Sequence, residues 1–215
     1  MNPAFQATVT FAPRLVPQLP ARLPAWLCRL FESARFCPAQ FVDPGTGLFN
    51  RAGLFAAAHR AIRDRQAGVP VAIVVLDFAD LREVCDIYGM PIARKVVAKA
   101  VRRLRTVAGW HGLVGRTGPS QFTVVLPGAT EDKAMRMVRR GLGKPARVEF
   151  DAGDSEIVLV PDLLVDVLEP GADKVQDVYR EMSQELARTQ RDERRRLNWL
   201  ASERERHSRP MSMTR

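Results

Sequence analysis

The sequence predicts an α+β domain in which helices flank a mostly antiparallel sheet. Three observations support this fold class. Residues 71–78 form a near-continuous apolar run, as expected for a central strand that is covered on both faces. Residues 112–115 and 122–126 are two short apolar runs joined by a glycine-containing loop, which is typical of a β-hairpin. Segments with apolar residues at helical spacing lie between these runs and can cover the sheet.

The elements before the hairpin are predicted from turn residues and periodicity. Asp43-Pro-Gly45 is a turn that opens a helix reaching Arg65. After the central strand, two helical stretches cover residues 81–88 and 92–107, and Pro91 lies near the start of the second. Apolar residues recur at helical spacing along the second stretch, so one of its faces packs on the sheet.

The elements after the hairpin follow the same signals. A helix is predicted from Thr130 or Glu131 to about Arg140, where glycines end it. Residues 146–150 and 156–160 are expected to pair across a turn at 151–154, and residues 163–168 extend this pairing or add a strand. A long helix follows, with an apolar side formed by Val175, Val178, Met182 and Leu186.

Three regions are predicted along the 215 residues. Residues 1–42 form a proline-containing N-terminal arm, and a short helix over 24–36 either packs on the domain or contacts a partner. Residues 43–187 form the folded domain. Residues 188–215 form a basic helical extension and a tail that is expected to be disordered from Ser202 onward.

Composition limits the classes of function. The net charge of +9 favours anionic partners such as nucleotides, nucleic acid or anionic lipid. Three cysteines without metal-like spacing indicate a reducing, cytoplasmic setting. No apolar run reaches the roughly 18 residues that span a bilayer, and the N-terminus has no signal-peptide pattern.

Four segments are informative because of their order along the chain. Residues 46–51 read Thr-Gly-Leu-Phe-Asn-Arg, Asp77 ends the central strand, residues 85–89 read Cys-Asp-Ile-Tyr-Gly, and residues 116–122 read Arg-Thr-Gly-Pro-Ser-Gln-Phe. In this order and spacing they resemble the GGDEF domain of diguanylate cyclases. The resemblance implies a palm-like α+β fold, with a central mostly antiparallel sheet flanked by helices and a long C-terminal helix.

The resemblance also implies a reaction, in which two GTP molecules are joined into cyclic di-GMP with magnesium ions clamping the phosphates. The family's metal ligands are the aspartate at the strand end, the backbone carbonyl after it and the first acid of the hairpin. Here Asp77 and the Phe78 carbonyl remain as weak metal candidates. Ser120 replaces the first acid and is a much poorer ligand, while Gln121 replaces the second acid, which assists the reaction.

The hairpin turn departs from the family in its backbone as well. The resemblance places Gly118-Pro119-Ser120-Gln121-Phe122 where the family has Gly-Gly-Asp/Glu-Glu-Phe. The family turn needs positive φ and a close approach of backbone to the nucleotide. Pro119 fixes φ near −65° and lacks an N–H, so it excludes that turn and removes a donor. No catalytic residue is therefore expected in this degenerate motif.

The nucleotide-binding positions have changed too. The family reads guanine with an asparagine and an aspartate, and these positions become Cys85 and Arg94. Guanine presents donors at N1 and N2, so a donor-only arginine does not complement it. Asn50, Cys85, Asp86, Arg94 and Arg116 are the remaining nucleotide-binding candidates. The late phosphate-binding lysine falls at Met182, and the inhibitory site for cyclic di-GMP is absent from residues 109–112.

Each surviving residue also has a structural interpretation. Asp77 is expected to cap the next helix or to pair with an arginine, and Asn50 and Arg51 to organise the opening turn. Asp86 is expected to be structural. The basic stretches at 94–105 and 188–196 either form a solvated helix surface or bind an anion, whether phosphate, nucleic acid or a lipid headgroup.

The sequence therefore predicts a catalytically inactive GGDEF-like domain that regulates or scaffolds bacterial cyclic di-GMP signalling through a protein partner. That partner is a signalling or secretion component, or a second copy in a homodimer. The alternatives are a non-catalytic receptor for GTP or cyclic di-GMP, and a weak residual cyclase. Binding of nucleic acid or an anionic membrane through the basic helices is a further alternative. No cofactor is expected, and Mg²⁺ only if nucleotide binding persists.

Overall fold

The computed structural model describes residues 39–63, 68–168 and 175–208. The proposed arm up to residue 38, including its helix over 24–36, lies outside the described residues, as do residues 209–215 of the tail. A short 3-10 helix over Ala39–Phe41 precedes the first strand.

In the described part of the chain, seven strands form two sheets. The main sheet has five strands in the order β1-β3-β4-β2-β7, and all of its pairings are antiparallel except the parallel pair β1–β3. Strands β5 and β6 form a separate antiparallel hairpin. The strands are β1 (Phe49–Asn50), β2 (Val71–Asp77), β3 (Leu113–Arg116), β4 (Gln121–Pro127), β5 (Val148–Asp151), β6 (Glu156–Leu159) and β7 (Asp162–Leu168).

Four helices cover the main sheet on both faces, which confirms the predicted fold class. Helices α2 and α3 pack together on one face, and α1 and α4 contact the other. The helices are α1 (Arg51–Arg63), α2 (Leu81–Ala108), α3 (Glu131–Leu142) and α4 (Val175–Ser208). The sequence predicted α2 and α3 to within a few residues, whereas α1 begins at Arg51, after the unpredicted strand β1, rather than directly after the turn at residues 43–45.

Strand β2 lies inside the sheet between β4 and β7. Six of its seven residues are buried, because helices cover both of its faces. Alternate residues face opposite layers: Val74 and Leu76 belong to the core formed with α2 and α3, and Ile73 and Val75 point to the other layer. The long apolar run in the sequence is therefore explained by the helices that cover both faces of β2.

Helix α2 is interrupted at Gly89, where φ is 79° and ψ is 166°. Pro91 follows two residues later and cannot donate a backbone hydrogen bond to the preceding turn. These two residues divide the element into the two helical stretches that the sequence predicted. The break turns the chain beside the carboxyl end of β2, where the candidate site lies.

Helix α4 extends further than expected. The sequence predicted disorder from Ser202, but the helix continues through Ser208. Glutamate and arginine make up four of the eight residues from 201 to 208, and both are favourable in helices. The arginine-rich composition that suggested disorder is therefore compatible with a long solvated helix.

The Gln121 side chain fastens the β3–β4 hairpin to α4. Its Oε1 accepts hydrogen bonds from the Tyr179 hydroxyl at 2.6 Å and from the Ser183 hydroxyl at 3.4 Å, both on α4. The Thr117 hydroxyl donates to the same oxygen at 3.4 Å. Tyr179 is only 3% exposed, so its hydroxyl depends on this acceptor rather than on water.

Replacing Gln121 with leucine should destabilise the domain by about 1–3 kcal/mol, because the buried Tyr179 hydroxyl would lose its acceptor. Urea denaturation measures this change. Tyr179→Phe should cost less in the Gln121→Leu background than in the unchanged chain, as for any coupled pair. Gln184→Leu makes the same chemical change at an exposed position of α4 and serves as the control. Equal effects of the two leucine variants would contradict the fastening role.

Replacing Gly141 with alanine should also destabilise the fold. A Cβ at this position would lie 2.4 Å from Val107 Cγ2 and 3.0 Å from the Val107 backbone nitrogen, so α3 would be pushed away from α2. The expected cost of about 1–3 kcal/mol exceeds the gain of up to about 1 kcal/mol from alanine's helix propensity. Thermal unfolding should show a melting temperature lower by about 2–12 °C.

Gly45→Ala is the matched control for that substitution, since a Cβ there meets its nearest atoms at 3.5 Å, an ordinary contact distance. Its melting temperature should change little. A Gly141→Ala variant as stable as the unchanged chain would show that α2 and α3 are free to separate at this point.

Candidate functional site

A cavity of about 930 Å³ lies at the carboxyl end of β2. Its walls come from the turn between β3 and β4, from both halves of α2 around the break at Gly89, and from the C-terminal half of α4. The volume falls within the range of about 300–1,000 Å³ that small-molecule sites occupy. This position coincides with the segments that the family resemblance identified.

Asp77 lines the cavity, but it neither caps a helix nor pairs with an arginine. Its Oδ1 accepts a hydrogen bond from the Ser120 hydroxyl at 2.6 Å. The N-cap of α2 is Asp80 instead, and among the described residues no ion pair is recorded for Asp77. Both structural roles that the sequence suggested for Asp77 are therefore wrong, and its partner is the serine that replaces the first acid of the hairpin.

The backbone carbonyl and amide of Phe78 are both hydrogen-bonded to other backbone groups. Its carbonyl accepts a hydrogen bond from the Leu81 amide at 3.0 Å, in the first turn of α2, and its amide donates to the Ser120 carbonyl at 3.1 Å. The Phe78 side chain is fully buried, and the residue is not part of the cavity wall. Of the two metal candidates, only Asp77 faces the cavity.

The turn at Thr117–Ser120 has the backbone that Pro119 requires. The amides of Thr117 and Gly118 both donate to the Gln121 carbonyl, at 2.9 and 3.1 Å. Gly118 does not have a positive φ, and none of the described residues other than glycines has a positive φ. The turn therefore closes without the left-handed conformation that Pro119 was expected to exclude.

Arg116 stabilises this turn from one side. Its Nη2 donates to the Pro119 carbonyl at 2.6 Å, and its Nη1 lies 3.5 Å from Asp43 Oδ1. The guanidinium also lies over the Phe122 ring, 5.9 Å from its centroid. Arg116 lines the cavity, and while its two Nη atoms contact Pro119 and Asp43, its buried Nε has no hydrogen-bond partner among the described residues.

The position of the assisting acid no longer faces the cavity. Gln121 forms no part of the cavity wall. Its side-chain oxygen, Oε1, is directed at Tyr179 and Ser183 on α4. Ser120 lies in the turn just before β4, whereas Gln121 is the first residue of β4, and the two side chains have different partners. One former acidic position thus contacts Asp77, and the other contributes to the packing of α4.

Of the five nucleotide-binding candidates, three line the cavity and two do not. Cys85, Arg94 and Arg116 line the cavity, and Cys85 Sγ lies 3.1 Å from Met90 Sδ. Asp86 does not line it and is exposed. Asn50 does not line it either, because its Oδ1 accepts a hydrogen bond from the Gly53 amide at 2.9 Å at the start of α1.

That bond is an N-cap interaction, which gives Asn50 the structural role expected of it in the opening turn. The neighbouring Arg51 lies over the Tyr179 ring, with its guanidinium carbon 4.9 Å from the ring centroid. A cation over an aromatic face is attracted by the ring quadrupole. Both residues therefore join the start of α1 to the surrounding layer.

Three polar residues of the cavity wall were not predicted from the sequence: Arg82, Gln190 and Arg194. Arg194 belongs to the basic stretch 188–196, which was interpreted as a solvated surface or an anion site. The signal was present in that charge run, but nothing in the sequence shows that α4 passes beside the end of β2. Arg82 follows the strand end by five residues and carried no motif.

The residues of the cavity do not fit a pair of magnesium ions. Four arginines and one aspartate supply its charged groups. Hard divalent cations prefer several carboxylate oxygens, whereas the one carboxylate here already accepts the Ser120 hydroxyl. Over residues 39–63, 68–168 and 175–208, no group of three or more His, Cys, Asp or Glu side chains is arranged to hold a metal.

Two further family positions differ in the structure. Met182, at the place of the phosphate-binding lysine, is 4% exposed and packs in the core under α4. Residues 109–112, at the place of the inhibitory site, form the turn after α2, where Trp110 is 76% exposed.

In the described part of the chain, no helix is long and apolar enough to cross a membrane.

Comparison with known proteins agrees with this arrangement. The family model described as "Diguanylate cyclase, GGDEF domain" matches residues 40–196. Similar solved structures include diguanylate cyclase SiaD in complex with its activator SiaC from Pseudomonas aeruginosa, with a TM-score of 0.61 and 21% identity over 78% of this chain and 70% of that one.

Two other structures have the same fold. The GGDEF domain of DgcB from Caulobacter crescentus, in complex with c-di-GMP, has a TM-score of 0.61 and 16% identity, covering 72% of this chain and 90% of that one. The FimX GGDEF domain from Pseudomonas aeruginosa has a TM-score of 0.59 and 20% identity, covering 69% and 94%. The sheet order, the flanking helices and the family match together show that this chain belongs to the GGDEF domain family of diguanylate cyclases, and so to the proteins of cyclic di-GMP signalling.

Proposed function

We propose that this chain is a GGDEF domain without diguanylate cyclase activity, which regulates or scaffolds cyclic di-GMP signalling by binding a protein partner in the cytoplasm. The observation that carries the proposal is the hydrogen bond from Ser120 to Asp77. A neutral hydroxyl occupies the place where the family reaction needs a second anionic metal ligand. The cavity is left with one carboxylate among four arginines.

The energetic argument concerns the transition state. Removing one group that stabilises developing charge typically costs about 2.7–4 kcal/mol of barrier. Here the acid at Ser120 is absent, and the acid at Gln121 is replaced by an amide that faces α4. With two such losses the barrier rises by roughly 5–8 kcal/mol, which slows turnover by about 10⁴-fold or more.

A protein partner is supported by exposed apolar residues on α4. Leu197 and Trp199 are 59% and 58% exposed, although both are large apolar side chains. They lie on the arginine-rich part of the helix, beyond the region that packs on the sheet. SiaD, which contains a domain of this fold, was crystallised with its activator SiaC, so a protein that contains such a domain can take a protein partner.

A second candidate function is that of a non-catalytic receptor for an anionic ligand such as a nucleotide. The specific observation is the cavity itself, which keeps a volume of about 930 Å³ and is lined by Arg82, Arg94, Arg116 and Arg194. Loss of the metal ligands does not remove this volume or its positive charge. The two functions are compatible, since a bound ligand can control a partner.

Incubation of the purified protein with GTP and either Mg²⁺ or Mn²⁺ should yield no cyclic di-GMP above a buffer blank, because one carboxylate cannot replace the family's set of ligands. Anion-exchange chromatography of the nucleotides measures the product. Product that disappears in Asp77→Ala would overturn the proposal and support a residual cyclase. Product that persists unchanged in Asp77→Ala would come from a contaminant.

Leu197→Glu should weaken capture of the protein partner without affecting folding, since this side chain is 59% exposed. Crosslinking in the cells that express the protein, followed by mass spectrometry, measures the loss. Arg188→Glu changes an exposed position of α4 nearer the sheet and serves as the control. Identical sets of crosslinked proteins from Leu197→Glu and the unchanged chain would exclude this part of α4 as the partner surface.

A further inference from the structure

The cavity carries more positive charge than the acids of its wall neutralise. Of its four arginines, Arg116 is engaged with the Pro119 carbonyl and Asp43. In the described part of the chain, no acidic side chain forms an ion pair with Arg82, Arg94 or Arg194. Asp77 is the only acidic residue of the wall, so these three guanidinium groups have one carboxylate between them.

The three arginines converge from separate elements. Arg82 lies in the first turn of α2, Arg94 lies beyond the break at Gly89, and Arg194 lies on α4. They line one cavity only because the broken helix α2 and the long helix α4 meet at the end of β2. Guanidinium groups bind phosphate oxygens through paired hydrogen bonds, which makes arginine well suited to a phosphate ligand.

The position of Arg194 is fixed by its neighbour on α4. Gln190 Nε2 donates to Asp162 Oδ2 at 2.7 Å, which joins α4 to the first residue of β7. Residues four apart lie on the same face of a helix, so this bond brings Arg194 to the cavity together with Gln190. Both residues belong to the cavity wall.

We propose that this cavity binds the polyphosphate group of a nucleotide-sized ligand directly through arginines, without a divalent cation and without selecting guanine. The inference rests on the receptor function proposed above and gives its ligand class. The arginines supply the positive charge that metal ions supply in a metal-dependent phosphate site. Because their charge is permanent and already in place, chelation of Mg²⁺ leaves the site intact.

The loss of guanine selectivity follows from Cys85 and Arg94, which stand where the resemblance places the guanine-reading pair, so Arg82 and Arg194 are the arginines left for the phosphates. Arg94 has only donors, and the Cys85 thiol is a weak donor and acceptor that lies against Met90. Guanine's N1 and N2 donors therefore find no complementary acceptor at these two positions. A site without those hydrogen bonds cannot discriminate strongly between purines.

Titration calorimetry in EDTA with ATP, GTP and inorganic triphosphate tests this proposal. ATP and GTP should bind with dissociation constants within about threefold of each other, since no base-specific hydrogen bond separates them. Both should bind more tightly than triphosphate, because the cavity holds more than a phosphate chain. Adding Mg²⁺ in place of EDTA should leave the affinity unchanged or weaken it.

Arg194→Gln should weaken ATP binding by about tenfold or more, the loss of one hydrogen bond to a charged group. Arg191→Gln is the matched control, because it removes the same charge three residues away on α4, outside the cavity wall. Circular dichroism should show that both variants keep the helical content of the unchanged chain.

Four results would overturn the proposal: no heat with any ligand at about 100 μM protein, binding that requires Mg²⁺, a GTP affinity far above that of ATP, or triphosphate binding as tightly as ATP. Equal weakening by Arg191→Gln and Arg194→Gln would also overturn it, by showing attraction to the whole basic helix. Chromatography of the same samples keeps the two proposals distinct. Product formation contradicts the loss of cyclase activity, whereas absent binding contradicts only the receptor.

Discussion

The antiparallel pairing of β2 with β4 determines the chemistry of this domain. Its register places Asp77 opposite Gln121 and is prolonged by the hydrogen bond from the Phe78 amide to the Ser120 carbonyl. Ser120 lies in the turn just before β4, outside the alternation of the paired strands, and its hydroxyl contacts Asp77 across 43 positions of sequence. A substitution in this turn acts at the end of β2, because the pairing of β2 with β4 holds the two segments together.

The two positions that hold acids in the family have different contacts here. Ser120 lies at the cavity, where its hydroxyl donates to one oxygen of Asp77. Gln121 is directed toward α4, where its uncharged amide accepts hydrogen bonds from the hydroxyls of Tyr179 and Ser183. A carboxylate at position 121 would place a charge beside Tyr179, which is nearly buried. Glutamine thus suits packing where the family's acid suits catalysis.

Much of the fold was predictable because its signals are local. The apolar run of β2, the hairpin turn and the Gly89–Pro91 break each depend on a few neighbouring residues. The cavity wall was predictable where a motif marked it, as at Asp77, Cys85, Arg94 and Arg116. Arg194 and Gln190 were not, because their place depends on how a distant helix crosses the sheet. The Asp77 partner was missed for the same reason, since only the β2–β4 register reveals it.

Helix α4 spans 34 residues, a length of about 50 Å at 1.5 Å per residue. The 14 residues beyond Arg194 extend it by about 20 Å past the cavity. A rigid rod that is held near one end acts as a lever, so a tilt of about 5° at Arg194 displaces the far end by nearly 2 Å. The helix therefore gives the domain the mechanical means to convert a local event at the cavity into movement of a distant surface.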